Sequence, residues 1–327
     1  MSLTSGAGSR ALVTGATGFV GTQLCPTLAQ HGWHVVCVSR RPWKGTRTGG
    51  LEEVILPLSS QDVLWQNALR SVRCIVHLAA HVHQMRDDPQ AANVYREVNV
   101  VGSQFVAEQA ARAGVRRFVY LSSIKVNGEG GAPAPYRAED APNPVDDYGR
   151  SKWQAEIALR DLCARSGMEL VIIRPPLVYG PAVRANFKRL LHLAALGVPL
   201  PLGSIDNRRS LVNVWNLADF IETCMIHPQA PGNTFLISDG EDLSTPQLLR
   251  RLAGLMHRPS RLFRFPPRGL NRLAQWVGLG PEMRRLCESL QVDSTPARER
   301  LDWRPAVSVD EGLERTVAAY RETRQAS

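Results

Sequence analysis

Residues 11–21 read Ala11-Leu-Val-Thr-Gly-Ala-Thr-Gly-Phe-Val-Gly21, in which a short apolar run leads into three glycines at three-residue spacing. The run predicts a strand over 11–14, and the pattern after it predicts a helix over 20–30. Glycine lets the backbone turn sharply and approach a pyrophosphate. The positive amino end of the following helix then stabilises the negative charge of that group. Because the glycines lie between a strand and a helix, we interpret them as a dinucleotide-binding loop rather than a plain turn. The residues expected at the dinucleotide are Gly15, Thr17, Gly18, Phe19, Val20 and Gly21.

The rest of the first half alternates β-branched runs with helical stretches, a rhythm typical of a parallel sheet. A long helical pattern over 93–113 ends at Gly114, and a further helix begins near Asp147. These features predict an α/β fold, a Rossmann-like doubly wound parallel sheet with right-handed crossovers. Pro26 lies inside the first helix and should kink it or remove a hydrogen bond. The predicted strands after the first are 33–39, 54–58, 74–78, 118–122 and 170–174.

The composition of the chain changes from Pro175 onward, where proline and glycine become more frequent. The predicted strands also become shorter, at 210–214 and 234–237. Helical patterns follow at 245–256 and 309–320. We therefore expect a dinucleotide-binding domain over 1–175, which includes the helix near Asp147. A smaller C-terminal substrate-binding lobe is expected over 176–327, with some segments returning to the first domain.

Composition limits the classes of partner and compartment. The formal charge is +9, but the arginines are interpreted as spread along the chain without a basic tract, so small anionic ligands are favoured over nucleic acid. The six scattered cysteines form no CxxC pair and are expected to be reduced core residues. No apolar run approaches the roughly 20 residues of a membrane span, so a cytoplasmic protein without membrane insertion is expected. Residues 275–279, with Trp276, are interpreted as a core helix rather than an apolar patch on a membrane surface.

Three histidines follow the predicted fourth strand, namely His77, His81 and His83. Imidazoles are common metal ligands, but no acidic or thiolate partner lies near them in the sequence. We therefore expect no metal site.

The end of the second predicted strand bears on the choice of dinucleotide. An Asp or Glu there would bond the ribose 2′-hydroxyl of NAD, whereas this chain has Ser39, Arg40 and Arg41. Arginine can make charge-assisted bonds to a 2′-phosphate, and a serine hydroxyl can add a donor. The sequence therefore favours NADP(H) over NAD, although two arginines after a strand also suit a solvated turn.

A second group of residues indicates acid-base chemistry. Tyr148 and Lys152 lie four residues apart at the start of a predicted helix, so their side chains share one face. A nearby ammonium favours the phenolate, so we expect Lys152 to lower the pKa of Tyr148. Ser122 and Ser123 end the predicted fifth strand, where open α/β sheets present catalytic side chains.

In these motifs the chain resembles the extended short-chain dehydrogenase/reductase family, which includes nucleotide-sugar epimerases, dehydratases and keto reductases. The resemblance covers nearly the whole chain and extends to His77-Leu-Ala-Ala80, Asn99, Arg174-Pro-Pro-Leu-Val-Tyr-Gly-Pro181, Arg209-Ser-Leu-Val-Asn-Val214 and Leu301-Asp-Trp303. Two departures stand out, since Leu58 replaces the usual acid after the third strand and Asn127 replaces a tyrosine.

The resemblance implies roles for individual residues. It implies that Ser123, rather than Ser122, is the catalytic hydroxyl beside Tyr148 and Lys152. It also places Ala79, Ala80 and Pro175 at the cofactor, with Lys152 on the nicotinamide ribose. For a UDP-sugar it implies Asn186 and Arg209 near the diphosphate, with a second arginine at Arg285 or its neighbour Arg284. Family members often form homodimers, and a homodimer is expected here.

The residues after the catalytic serine bear on the reaction. The family's 4,6-dehydratases resemble one another in an Asp-Glu pair at this point, whereas this chain has Ile124 and Lys125. Without that acid and base, elimination of water from the sugar is not expected. Lys125 is either a substrate contact or a surface lysine.

Three functions remain. The arginines at 40 and 41 favour an NADPH-dependent reductase. Three runs, Ser122-Ser-Ile-Lys-Val-Asn-Gly-Glu129, Asn207-Arg-Arg-Ser-Leu211 and Ser238-Asp-Gly-Glu-Asp-Leu-Ser-Thr245, resemble the bacterial branch of the family that acts in surface polysaccharide biosynthesis. That resemblance implies reduction of the C4 keto group of a UDP-linked, 6-deoxy, N-acetylated hexose. The alternative is a UDP-glucose or UDP-N-acetylglucosamine 4-epimerase with tightly bound NAD. A non-catalytic dinucleotide sensor is the third, and the intact Ser123, Tyr148 and Lys152 argue against it.

Overall fold

A computed structural model describes residues 7–43, 49–58, 62–82, 91–276, 278 and 280–325 of the 327-residue chain. Within these ranges the strands are β1 Arg10–Thr14, β2 His34–Ser39, β3 Leu51–Ile55, β4 Val72–His77, β5 Arg117–Leu121, β6 Glu169–Arg174, β7 Leu177–Tyr179, β8 Leu211–Asn213 and β9 Thr234–Leu236.

The helices of the first half lie between the strands of the sheet. They are α1 Gly21–Gln30, α2 Asp62–Ala68, α3 Ala91–Tyr95, a π-helical segment Arg96–Val101, α4 Gly102–Arg112 and α5 Asp147–Ser166. A single 3₁₀ turn spans Ile124–Val126. The later helices are α6 Ala185–Leu196, α7 Val214–Ile226, α8 Thr245–Leu255, α9 Pro267–Trp276, α10 Gly280–Cys287, α11 Thr295–Leu301 and α12 Val309–Gln325.

Seven strands form one parallel sheet in the order β3-β2-β1-β4-β5-β6-β9, and β7 pairs with β8 in a small parallel sheet. The predicted doubly wound parallel sheet is therefore confirmed. The strand order reverses between β1 and β4, and ligands of such sheets bind outside the carboxyl ends of the strands at this point. The glycine loop after β1 and the serines after β5 both lie at that edge.

The sheet is buried on both faces, as parallel sheets are. Successive residues of β1 point to opposite faces, so Val13 packs in one apolar cluster and Leu12 in the other. A third cluster forms the core of the C-terminal lobe, around Phe187, Leu191 and Leu252. Helix α7 packs against α1, and β9 extends the main sheet, so parts of the chain beyond residue 175 pack with the first half of the chain.

Two elements differ clearly from the sequence-based expectation, whereas α1 agrees with it. The third strand is Leu51–Ile55 rather than 54–58, because its register along β2 begins at Leu51. Its exposed Glu52, which pairs with Arg10 at 2.7 Å, obscured the apolar pattern. The helix expected over 93–113 is divided by the π-helical segment, and this segment holds the buried Asn99. Helix α1 continues through Pro26, which removes one main-chain donor without ending the helix.

The cysteines agree with the expectation of reduced residues. All six are free, five are buried, and Cys287 is partly exposed. The interpretation of 275–279 as a core helix is wrong at Trp276, whose side chain is 91% exposed at the end of α9. Residues 277 and 279 lie outside the described part of the chain. Among the described helices, none combines the length and the apolar character needed to cross a bilayer.

Candidate active site

The glycine loop is closely packed against the end of β4. Gly15 has φ +68°, and a Cβ there would lie 2.8 Å from the amide nitrogen of Ala79. A Cβ at Gly21 would lie 2.4 Å from the carbonyl oxygen of Ala16. Helix α1 follows the loop without a side-chain cap on its amino end. A tight loop that admits only glycine, followed by an uncapped helix, fits a dinucleotide pyrophosphate. Thr17, Phe19, Val20 and the predicted Ala79 lie in or beside this loop.

His77 belongs to a buried hydrogen-bonded chain rather than to a metal site. Its Nδ1 lies 2.9 Å from Oγ1 of Thr14, and its Nε2 lies 3.0 Å from Oγ of Ser103. Burial, with a contribution from the nearby Lys152, lowers the pKa of His77 to about 3, so the ring is neutral. No group of three potential metal ligands occurs among the residues the structure describes, and His83 lies outside them.

The end of β2 presents two exposed arginines, Arg40 and Arg41. Ser39 is 6% exposed, and its hydroxyl donates to the carbonyl oxygen of Arg41 at 2.5 Å. The hydroxyl thus supports the local turn, while the two guanidinium groups face solvent.

The two serines after β5 have different surroundings. The hydroxyl of Ser122 is buried and donates to Oε1 of Glu156 at 2.5 Å. Glu156 in turn forms a fully buried ion pair with Arg174 at 2.6 Å. Ser123 has extended backbone, begins the 3₁₀ turn, and faces a cavity. The structure therefore distinguishes Ser122, whose hydroxyl is engaged in the core, from Ser123, which lines the cavity.

Tyr148 lies in the first turn of α5, which is held closely against the loop after Ser123. Asp146 caps the helix by accepting from the amide of Gly149 at 2.7 Å. A Cβ at Gly149 would lie 2.8 Å from the carbonyl oxygen of Lys125, so the helix start and the loop touch. Tyr148 and Ser123 line the same cavity, and the Ser123 hydroxyl lies near enough to the phenol to lower its pKa.

The expected lowering of the Tyr148 pKa is not observed. Burial raises the pKa of Tyr148 above its ordinary value, and the charge of Asp146 adds to the shift, while the hydrogen bond with Ser123 opposes it. Lys152 does not offset these effects, because its ammonium is engaged elsewhere. It donates to the carbonyl oxygen of Leu121 at 2.7 Å and to the hydroxyl of Tyr120 at 3.3 Å.

Lys152 is itself 2% exposed, and burial lowers its pKa to about 7, with partial opposition from Glu156. The π-helical segment fixes the helix that carries it. Asn99 donates to Oγ of Ser151 at 2.9 Å and to the carbonyl oxygen of His81 at 3.1 Å. The helix with Tyr148 and Lys152 is thus tied to the end of β4.

A cavity of about 340 Å³ lies between the carboxyl edge of the sheet and the C-terminal lobe. Tyr148 and all five residues expected at the substrate line it, namely Ser123, Lys125, Asn186, Arg209 and Arg285. Helices α6, α8 and α10 contribute apolar side chains such as Leu190, Leu248 and Leu286. The structure therefore brings the residues expected to act on a substrate into one enclosed space.

The polar end of the cavity is rich in charge. Nη1 of Arg209 donates to the carbonyl oxygens of Arg285 and Glu288 at 2.7 and 3.0 Å, which holds the guanidinium in place. Arg285 lies 3.7 Å from the carboxylate of Glu129. Fixed guanidinium groups of this kind suit a phosphate or diphosphate.

Two acidic residues beside Lys125, Glu129 in the cavity wall and Asp146 at the start of α5, did not emerge from the sequence. Lys125 forms ion pairs with Glu129 at 2.5 Å and with Asp146. Burial would raise the pKa of Asp146, but the pair with Lys125 and the amide of Gly149 hold it below its usual range. Asp146 is recognisable in retrospect as an N-cap residue before a helix, whereas no local pattern marks Glu129. Lys125, left open between a substrate contact and a surface lysine, lies in the cavity wall.

The sheet and the tyrosine-lysine helix together define an extended short-chain dehydrogenase/reductase. The chain belongs to the NAD dependent epimerase/dehydratase family, whose model matches residues 11–238.

Comparison with individual proteins agrees with this assignment. The chain is 42% identical over 312 residues to a UDP-glucose 4-epimerase of Vibrio cholerae, with 94% of each chain covered. Its fold is similar to that of a UDP-glucose 4-epimerase of Thermotoga maritima, with a TM-score of 0.78, 22% identity, and coverage of 96% of this chain and 99% of the other. It is also similar to MoeE5 in complex with UDP-glucuronic acid and NAD, with a TM-score of 0.77, 26% identity, and coverage of 96% and 100%.

Proposed function

We propose that the protein transfers a hydride at C4 of a UDP-linked hexose and works as an NADPH-dependent C4 keto reductase on a 6-deoxy, N-acetylated sugar in surface polysaccharide biosynthesis. The observation that carries this proposal is the single cavity that joins Ser123 and Tyr148 to Asn186, Arg209 and Arg285. The arginines meet the diphosphate, and the sugar then extends toward the tyrosine. The similarity to proteins that bind UDP-sugars supports the substrate class.

Tyr148 acts as the general acid. When bound, the nicotinamide dinucleotide supplies the hydride that C4 receives. Tyr148 protonates the C4 oxygen, and Ser123 holds that oxygen by a hydrogen bond. The raised pKa of Tyr148 keeps its proton in place at neutral pH, which suits an acid better than a base. Lys152, anchored on the carbonyl oxygen of Leu121, is assigned to the nicotinamide ribose, and Tyr148 regains its proton from solvent.

The choice of NADPH depends on Arg40 and Arg41. Both are exposed at the carboxyl end of β2, and no acid stands there to repel a 2′-phosphate. Because Ser39 is engaged with the carbonyl oxygen of Arg41, the phosphate is assigned to the two arginines alone. A reductase consumes one NADPH in each turnover. The cellular NADP pool is mostly reduced and can therefore supply it.

A second candidate is a UDP-hexose 4-epimerase with tightly bound NAD. The 42% identity to a UDP-glucose 4-epimerase over nearly the whole chain favours it. The same Ser123, Tyr148 and Lys152 would serve both reactions, since an epimerase removes and returns the hydride at C4. The two candidates differ in whether the dinucleotide leaves the enzyme.

The test begins with the dinucleotide released when the purified protein is denatured. Binding of NADPH and NADH is then titrated, and NADPH oxidation is followed with a UDP-4-keto-6-deoxy-N-acetylhexosamine. We expect NADPH-dependent reduction of the C4 ketone, with Tyr148→Phe as the inactive control. Retained NAD⁺, indifference to NADPH, and interconversion of UDP-glucose and UDP-galactose would reject the reductase in favour of the epimerase. A Tyr148→Phe variant equal to wild type in both assays would support a non-catalytic sensor.

The cytoplasmic location and the homodimer remain proposals. A reducing compartment is supported by six free cysteines. Exposed Val101 and Ile157, on the π-helical segment before α4 and on α5, offer apolar contacts for a second copy.

A further inference from the structure

Positive charge is concentrated in one segment of the C-terminal lobe. Residues 243–281 contain seven arginines and neither Asp nor Glu, so this segment alone carries most of the net charge of +9. The interpretation of evenly spread arginines therefore does not hold here. The segment covers α8, the extended chain after it, and α9.

Large aromatic side chains in the same segment are exposed to solvent. Phe263 is 47% exposed, Phe265 is 36% exposed, and Trp276 is 91% exposed. Leu262, between Arg261 and Phe263, packs instead against the core of the lobe. The aromatic rings are thus held at the surface by a segment that is itself anchored. Exposure of three such rings in one segment requires an explanation, because single scattered apolar residues are the ordinary case.

The geometry of α9 brings an arginine between two of these rings. A Cβ at Gly269 would lie 3.2 Å from the ring of Phe265, so that ring lies over the first turns of the helix. Arg272 and Trp276 follow Gly269 at three and seven residues and share its face. Seven residues of helix span about 10 Å. Leu270, 5% exposed, lies on the buried side and fixes the helix to the lobe.

The arginines on this surface are not neutralised by the protein. Arg251, at its border, pairs with Glu241 and Asp310. Arg258, Arg261, Arg264 and Arg272 are exposed, and none of the four forms an ion pair within the described ranges of the chain. We call these four arginines together with Phe263, Phe265 and Trp276, all exposed and all within residues 258–276, the basic aromatic face.

We propose that the basic aromatic face docks the protein on an anionic phospholipid bilayer. Arginines interspersed with exposed Phe and Trp suit the headgroup region, where cations meet lipid phosphates and aromatic rings enter the acyl boundary. Nucleic acid is the other polyanion to consider. Proteins that bind a nucleic-acid strand line a groove that follows it, whereas neither the cavity at Ser123 and Tyr148 nor the cavity beside Arg10 and Arg73 contains a residue of this face.

The face lies on the lobe that closes the substrate cavity. Helix α9 packs against α10, which contributes Arg285 and Leu286 to the cavity wall. Docking would therefore hold the cavity beside the membrane surface and deliver products there. The proposal does not depend on which reaction the cavity performs.

The test is co-sedimentation of the full-length protein with vesicles of phosphatidylcholine alone or in equal mixture with phosphatidylglycerol. We expect binding to the anionic vesicles only, and release by added salt. Each arginine near such a surface contributes about 1 kcal/mol, so Arg261→Gln/Arg264→Gln should weaken binding roughly thirtyfold. Trp276→Ser should also weaken it. Matched controls are Arg304→Gln/Arg321→Gln and Leu196→Ser, which remove exposed charge or apolar surface elsewhere.

Quenching of tryptophan fluorescence by doxyl-labelled lipid is measured on the wild-type protein and on Trp276→Ser. Quenching that disappears in Trp276→Ser supports insertion of this ring. Absence of wild-type binding to the anionic vesicles at low salt overturns the proposal. Binding to single-stranded oligonucleotide without binding to vesicles, or sedimentation through self-association alone, overturns it in favour of another partner.

Discussion

The ammonium of Lys125 pairs with the carboxylate of Asp146 and so joins the loop that carries Ser123 to the helix that carries Tyr148. Asp146 accepts from the amide of Gly149 at the same time, so one carboxylate holds both the helix cap and the loop. Lys125 also pairs with Glu129 and lies 6.0 Å from the centre of the Tyr148 ring. We infer that Lys125 positions the two hydroxyls and balances the negative charge beside them.

Replacement of Lys125 with Met is expected to lower kcat roughly tenfold by loosening the loop. The groups facing Tyr148 are Ser123, Lys125, Asp146 and Tyr95. Without the ammonium, the charge of Asp146 is no longer balanced, and it raises the Tyr148 pKa further. The alkaline limb of the kcat pH profile, where the acid Tyr148 loses its proton, should therefore move to higher pH. The matched control is Lys188→Met on the exposed side of α6. An unchanged limb with reduced kcat would limit Lys125 to a structural role.

Substitution of the two adjacent serines should have different effects, on kcat at Ser123 and on the free energy of unfolding at Ser122. Ser123→Ala removes the hydroxyl in the cavity and should cut kcat by about 10²-fold with little change in Tm. Ser122→Ala leaves the buried Glu156 short of one donor and should cost about 1–3 kcal/mol of unfolding free energy. Steady-state kinetics and urea unfolding of both variants provide the measurement. The reverse pattern would assign the catalytic hydroxyl to Ser122.

Much of this architecture follows from local sequence patterns. The glycine loop was predictable because its spacing coincides with a strand end and a helix start, and the residues of the cavity were expected from the resemblance. The placement of the Lys152 ammonium was not predictable, because it depends on the carbonyl group of Leu121, 31 positions away in the sequence. Glu129 was missed for a similar reason, since its partners Lys125 and Arg285 meet it only in the folded protein. Trp276 was placed in the core because an apolar pattern alone does not show which face of a helix is covered.

The buried ion pair of Glu156 and Arg174 provides a prediction about stability. Its side chains are 0% and 2% exposed, and Arg174 also donates to Oδ1 of Asn127 at 3.0 Å. Arg174→Met leaves an unpaired buried carboxylate and should cost about 3–5 kcal/mol in urea unfolding. The double variant Glu156→Leu/Arg174→Met removes both charges and should recover part of that loss. Additive losses in the double variant would mean that the two side chains act independently.

The choice of dinucleotide is expected to depend on Arg40 and Arg41. Replacement of both with Ser removes two exposed cations and should weaken NADPH binding at least tenfold, while NADH binding changes little. Fluorescence titration with each dinucleotide gives the two affinities. Arg70→Ser/Arg73→Ser, at two exposed positions near the opposite edge of the sheet, serves as the charge-matched control. Equal weakening for NADPH and NADH would contradict a role in recognising the 2′-phosphate.

Lys152 should make stability depend on pH in a defined direction. Burial lowers its pKa from 10.5 to about 7 in the folded protein, whereas the unfolded chain keeps the higher value. Below pH 7 both states carry the proton, and the folded state bears the full cost of a buried ammonium. Between pH 7 and 10.5 the unfolded state binds more protons than the folded state. The contribution of Lys152 to the free energy of unfolding therefore rises with pH in this range.

Lys152→Met removes this pH dependence. It also removes the hydrogen bonds to Leu121 and Tyr120, and their loss lowers the unfolding free energy by nearly the same amount at every pH. The variant's unfolding free energy relative to wild type should therefore be highest below pH 7 and fall by a few kcal/mol as the pH approaches 10.5. Urea unfolding across that range, without added dinucleotide, measures the difference, and Lys188→Met provides an exposed lysine for comparison. A difference that stays constant with pH would show that the Lys152 ammonium is as stable in the folded protein as in water.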